Sequence, residues 1–154
     1  GSAALIDVLK YEAPGSVYSV ALAPALAAAA ACSLQVMDAE PERVTTLQAR
    51  GQFFLDRASA HGLDTGESVG SSIVPVMIGS SPIAAMASKV LLDRGINVLP
   101  IAFPGVAMNA ARLRFFLTRE HTEDQIEHVI QQTAQVINDL RAGPLETNFM
   151  NFTG

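Results

Sequence analysis

Two arginines stand apart from the other charged residues of this chain. In Ala111-Arg112-Leu113-Arg114-Phe115-Phe116-Leu117 they alternate with apolar neighbours, the pattern of a partly exposed strand rather than of a charged helix. A guanidinium carried on a strand just after a proline-containing loop can clamp a carboxylate through two parallel hydrogen bonds, which an ammonium does not reproduce. The plainer alternative is a pair of salt-bridging arginines on an edge strand. Other titratable groups point to less. Glu123 and Glu127, and Asp124 and His128, stand four apart and read as solvated charges on a helix face, without acid–base work. His61, His121 and His128 lack metal-ligand spacing, so surface or capping roles are expected and no metal site is. The loop Gly66–Ser72 can cradle an anion, but a surface turn is the simpler reading. No phosphate-binding glycine loop, zinc-binding His-Glu-x-x-His or nucleophile elbow occurs. The residues alone therefore supply no catalytic group.

The elements that must carry these side chains follow from periodicity and breakers. A helix is expected over Ala4–Tyr11, ending before Pro14-Gly15, then an extended segment over Val17–Leu22. Pro24 opens a long alanine-rich helix to about Met37. After a break at Asp38–Pro41, a second helix runs from Glu42 to His61-Gly62, with Val44, Leu47, Gly51, Phe54, Leu55 and Ala58 on one face. Ile73–Ile78 reads as a buried strand ended by Gly79, and Ser81 with Pro82 as the start of a helix that Gly95 closes. Asn97–Ile101 and Leu113–Leu117 are further strands. Thr122 and Gln125 form a capping box for a last helix whose core face carries Ile126, Val129, Ile130, Val136, Ile137 and Leu140. The expected fold is α/β in two layers: a small, mostly antiparallel sheet with helices on one face, preceded by a long helix.

Composition bounds the setting. The chain has 154 residues, 49% hydrophobic and 16% charged, enough for a packed core. A net charge of −5 with no basic cluster argues against nucleic acid as a partner. The stretch Ala13–Met37 carries no charge but is mostly small residues interrupted by Pro14 and Pro24, so no membrane span is expected. Such a stretch suits a helix packed closely on a neighbouring domain or subunit. The single cysteine, Cys32, is expected to be small and buried, and fits a reducing, cytoplasmic setting.

Several blocks, taken in order, resemble the α-oxoamine synthases, pyridoxal-phosphate (PLP) enzymes of the aminotransferase class I/II group with fold type I. Val17-Tyr18-Ser19-Val20-Ala21-Leu22-Ala23-Pro24-Ala25 is similar to the family segment that runs aromatic, hydroxyl, two variable positions, leucine, Pro or Ala, then Pro-Ala. Leu91-Leu92-Asp93-Arg94-Gly95-Ile96-Asn97-Val98-Leu99-Pro100-Ile101-Ala102-Phe103-Pro104 is similar to its Gly-Ile/Val-x-Val-x-Pro-Ile-x-aromatic-Pro stretch. Ile73-Val74-Pro75-Val76, Ala111–Thr118 and Glu120–Ile126 continue the match. The family includes 8-amino-7-oxononanoate synthase, 2-amino-3-ketobutyrate CoA ligase, 5-aminolevulinate synthase and serine palmitoyltransferase.

The resemblance implies a homodimeric enzyme that condenses an amino acid with an acyl thioester, using PLP as cofactor. It implies that this chain is the carboxy-terminal portion: residues 1–24 the end of the large domain, 25–142 the small domain, and 143–154 a flexible or partner-latching tail. Arg114 matches the arginine that binds the amino-acid carboxylate, and Ser19 the hydroxyl that reaches the cofactor phosphate of the neighbouring subunit; Arg112 falls at a variable position. Two departures stand out. Gly105-Val106-Ala107-Met108-Asn109 differs from the family's usual loop, and neither Lys10 nor Lys89, the only lysines, has the Ser/Thr-x-x-Lys context of the cofactor-bearing lysine. The isolated chain is therefore expected to be inactive. The competing expectation is a non-catalytic subunit that binds a partner through its alanine-rich helix.

Overall fold

The computed structural model describes residues 2–20 and 22–143, which separate into two units, one up to Pro41 and one from Glu42. The break falls within the segment 25–142 expected as one domain. The expected tail, from residue 144 on, lies outside the described residues.

The first unit is helical. Helix α1 (Ala3–Glu12) is capped by Ser2, whose hydroxyl accepts from the Leu5 amide at 3.3 Å, and its last turn pairs Lys10 with Asp7 at 2.9 Å. A short helix, α2 (Pro14–Val17), follows where an extended segment was expected from Val17. The cause is Pro14: with its φ preset it starts a helical turn as readily as it ends one. The Val17 and Tyr18 amides then donate back to the carbonyls of Ala13 and Pro14 at 3.0 and 3.1 Å. Helix α3 (Pro24–Ala39) begins at its proline as expected and has no buried residue. Cys32, expected inside, is exposed, like the rest of α3 within its own unit. No helix among them is long and apolar enough to cross a membrane.

The second unit carries the core. Helix α4 (Glu42–Ala60) is followed by strand β1 (Ile73–Gly79), helix α5 (Ser81–Asp93), strands β2 (Leu99–Ile101) and β3 (Ala111–Phe116), and helix α6 (Glu123–Ala142). The three strands form an antiparallel sheet in the order β1-β3-β2. Strand β1 is buried on one face only: Val74, Val76 and Ile78 point inward with Ala111, Leu113 and Phe115 of β3. Helices α4 and α5 lie against that face, and α6 packs against both. The Phe54 and Phe115 rings meet at 5.3 Å between centroids, and Leu91, Ile130 and Ile137 complete the centre of the core. The expected two-layer α/β architecture is the one observed.

Local signals set the boundaries with small displacements. The capping box of α6 forms as read, with the Thr122 hydroxyl accepting from Gln125 N at 3.2 Å and the Gln125 side chain accepting from Thr122 N at 3.0 Å. Gly95 closes α5 at φ 82°, its amide donating to Leu92 O at 2.9 Å and the Ile96 amide to Leu91 O at 2.8 Å, the paired bonds of a Schellman stop. The start of α5 moves one residue: Ser80, not Ser81, occupies the cap position, and its side chain makes no capping bond. Pro82 tolerates either place, since a first-turn amide has no helical partner to lose. Strand β2 begins at Leu99 rather than Asn97, because only Leu99–Ile101 pairs with β3.

Candidate functional site

The sheet leaves one face without a helix, and β3 runs through its middle. Arg112, Arg114 and Phe116 point to this open face, since side chains two apart on a strand share a side. Arg114 lies between Pro75 of β1 and Leu99 of β2, and Arg112 between Met77 and Ile101. None of these four carries a carboxylate. The edge-strand alternative is thereby overturned: β3 is central, and among the described residues neither arginine forms a salt bridge.

The two arginines differ in what holds them. Arg112 donates from Nε to the Ala110 carbonyl at 3.2 Å, which ties it to its own chain. Arg114 stacks over the Phe116 ring, Cζ 5.0 Å from the centroid, and its buried Nε has no hydrogen-bond partner. Arg50 Nε is similarly orphaned, but that guanidinium is already paired through its terminal nitrogen to Glu123 at 2.6 Å. A buried charged donor without an acceptor is costly, and it marks a place where an anion is stabilised. A carboxylate matches the guanidinium fork in geometry and charge.

Ser19 belongs to the other unit and is exposed, with its hydroxyl donating to the Gly15 carbonyl. The two anticipated site residues are thus placed in separate units. As placed, the Ser19 donor is spent within its own turn, leaving only oxygen lone pairs, so it offers a phosphate nothing until that rotor turns away. Both lysines are engaged on helix surfaces, Lys10 with Asp7 and Lys89 with Asp93 at 2.5 and 2.7 Å. No cluster of metal-ligating side chains occurs among the described residues.

Other groups resolve into structural roles. In the Gly66–Ser72 loop the amides of Gly66 and Ser68 are satisfied locally, by Asp64 Oδ1 at 2.8 Å and Thr65 O at 3.3 Å, so it is a turn rather than an anion cradle. His121 Nδ1 accepts from the Thr118 amide at 2.9 Å, a turn-capping role. Glu123, exposed as expected, and the half-buried Glu127 also tie α6 to α4. Glu123 pairs with Arg50, and Glu127 takes both Arg57 Nε and a second Arg57 nitrogen, the latter at 2.9 Å. His61 and Gln131 add contacts to Glu127 at 3.0 and 2.7 Å. The hydrogen-bonded Arg57 holds the Glu127 carboxyl at about 2, well below the usual range, and Glu127 in turn raises the Arg57 guanidinium. The signal was present in the sequence as complementary charges on two helix faces, Arg50 and Arg57 against Glu123 and Glu127. Which helices face each other was not. A cleft of about 440 Å³ is lined by Ile96, Phe115, Leu117, His121 and Val129, among others.

The chain is similar to known proteins in sequence and in fold. The family described as aminotransferase class I and II matches residues 1–132. Among curated relatives, the 8-amino-7-oxononanoate synthase of Bacillus pumilus is 34% identical over 143 residues, covering 91% of this chain and 36% of the relative. That of Methylocella silvestris is 36% identical over 136 residues, covering 88% and 37%. The 8-amino-7-oxononanoate synthase/2-amino-3-ketobutyrate coenzyme A ligase of Thermus thermophilus is 32% identical over 138 residues, covering 88% and 34%. The chain thus spans little more than a third of the length of the curated relatives it matches. Among solved structures, 8-amino-7-oxononanoate synthase from Francisella tularensis superposes with a TM-score of 0.74 at 23% identity, covering 91% of this chain and 41% of that one. Serine palmitoyltransferase from S. paucimobilis gives 0.77 at 23% identity, covering 89% and 35%. The likeness to these structures is one of fold.

Proposed function

The chain belongs to the aminotransferase class I and II family, on its α-oxoamine synthase branch, and from that premise we propose that it supplies the carboxy-terminal part of a PLP-dependent acyltransferase. The intact enzyme condenses an amino acid with an acyl thioester, on coenzyme A or an acyl carrier, to give an α-oxoamine. On this reading residues 1–24 end the large domain and 25–142 form the small one. The observation that carries it is Arg114, a guanidinium on the open sheet face with a buried, unpartnered Nε, at the position that the family resemblance assigns to the amino-acid carboxylate.

PLP supplies the electron sink for bond-breaking at the amino-acid α-carbon. What this chain contributes is binding and orientation. Arg114 anchors the carboxylate by paired hydrogen bonds, and the apolar neighbours Pro75 and Leu99 leave its charge undiminished. Ser19 lends a hydroxyl to the cofactor phosphate of a second subunit once it releases Gly15. The cofactor-bearing lysine belongs to another part of the protein, which leaves the isolated chain inactive. The enzyme works as a homodimer in the cytoplasm. The exposure of Leu5, Leu9, Leu26 and Leu34 in the first unit supports its being covered in the assembly, since large apolar patches of this kind mark interfaces. That exposure equally favours the second reading, a non-catalytic partner-binding subunit.

The two readings part on one assay. The intact protein, loaded with PLP and given glycine, L-alanine or L-serine with acyl-coenzyme A thioesters of increasing chain length, should release free thiol in proportion to amino acid consumed. Absence of thiol release with every pair would leave the partner-binding reading standing.

A further inference from the structure

The position of Phe116 is poorly explained by packing. It is 54% exposed on the open face, across from Ile73 of β1, so burial there contributes little. Among the described residues, its ring face meets the Arg114 guanidinium, with Cζ 5.0 Å from the ring centroid. The side chains in register with Arg114, those of Pro75 and Leu99, have no polar atom with which to orient it. A guanidinium can be held by an ion pair or by a ring face, and the two have opposite consequences for a ligand. An acidic partner neutralises the charge and fills the N–H edges. A ring covers only the flat surface and leaves the in-plane donors and the charge available.

Resting on the reading of Arg114 as the carboxylate ligand, we propose that Phe116 is a positioning residue for substrate binding. Its ring fixes the plane of the Arg114 guanidinium while leaving the two terminal nitrogens, which unlike Nε are not buried, for the amino-acid carboxylate. An arginine side chain ordered before the ligand arrives loses less rotamer freedom on binding, so the ring strengthens amino-acid binding without touching the amino acid.

The test compares Phe116→Leu, which keeps an apolar side chain against Ile73 but removes the ring face, with Phe116→Tyr, which retains it. Both are made in the intact PLP-loaded enzyme and titrated calorimetrically with glycine, L-alanine and L-serine. For the tightest of the three, Phe116→Leu should raise Kd about three- to tenfold. The melting temperature and the turnover at saturating amino acid should stay unchanged, and Phe116→Tyr should match the parent. Combined with Arg114→Ala, Phe116→Leu should add no further loss. If Arg114→Ala weakens binding while Phe116→Leu does not, the positioning role is overturned and the role of Arg114 stands. If Arg114→Ala itself leaves Kd unchanged, both are overturned. An equal loss from Phe116→Leu with and without Arg114 would assign the ring to another contact and overturn the positioning role.

Discussion

Arg114 sits between two apolar cross-strand neighbours, so on the proposed reading its removal would leave the substrate carboxylate with no substitute donor from Pro75 or Leu99. Arg114→Ala in the intact enzyme should chiefly raise the amino-acid KM, by roughly 2–4 kcal/mol of lost binding, as expected when one partner of a hydrogen-bonded charge pair is truncated. Steady-state kinetics with varied amino acid at fixed acyl thioester measure this, and an unchanged KM removes Arg114 from the site. Arg112→Ala serves as the comparison: its Nε is tied to the Ala110 carbonyl, and its loss should leave that KM unaltered. The alternation of arginines with apolar residues made both candidates legible in the sequence. Their inequality was not legible, because a bond to a neighbouring carbonyl and an orphaned Nε look identical in the letters Arg-Leu-Arg.

Among the elements, α4 is held on two sides, and each side makes a prediction. Where α4 meets the loop before β1, a Cβ on Gly51 would stand 1.9 Å from the Gly70 carbonyl oxygen. The opposing atoms are backbone, so no rotamer relieves the clash. Gly51→Ala should therefore destabilise the fold by about 1–3 kcal/mol or more, read as a lower denaturant midpoint. An unchanged midpoint would show that helix and loop separate at little cost. On the other side, α4 is clamped to α6 through Glu127, whose carboxyl Arg57 depresses from the ordinary 4.5 to about 2. A depressed carboxyl stabilises the folded state at pH above its unfolded value, and that contribution is lost as pH falls through the folded value. Stability should thus decline between about pH 4.5 and 2. Glu127→Gln should be the less stable protein at neutral pH, with the two unfolding curves converging at the acid end of this window. Parallel curves throughout would dissociate Glu127 from acid stability. Helix identities and stops came from caps and glycines at most of these boundaries. The extended reading of Val17–Leu22 began one residue early, because Pro14 both ends one helix and starts a short one that takes in Val17.

For the whole molecule, Lys10 and Lys89 are each paired with an aspartate one helical turn away, and on the proposed reading neither carries the cofactor. Incubation of this chain with PLP followed by borohydride should leave no stoichiometric label on Lys10 or Lys89 by peptide mass mapping. A saturable label on either would overturn the assignment of the cofactor lysine to another part of the protein. By itself the sequence determined the two-layer α/β plan, the branch of the family, and the residues worth testing. Hydrophobic period, caps and ordered motif blocks are local properties that the chain writes directly. Only the tertiary structure decided that β3 is the central strand, that Arg114 lies over the Phe116 ring, and that Glu123 and Glu127 pair with arginines of α4. Each of these depends on which segments come together across tens of residues, and such pairings arise from the packing of the whole core rather than from any local pattern.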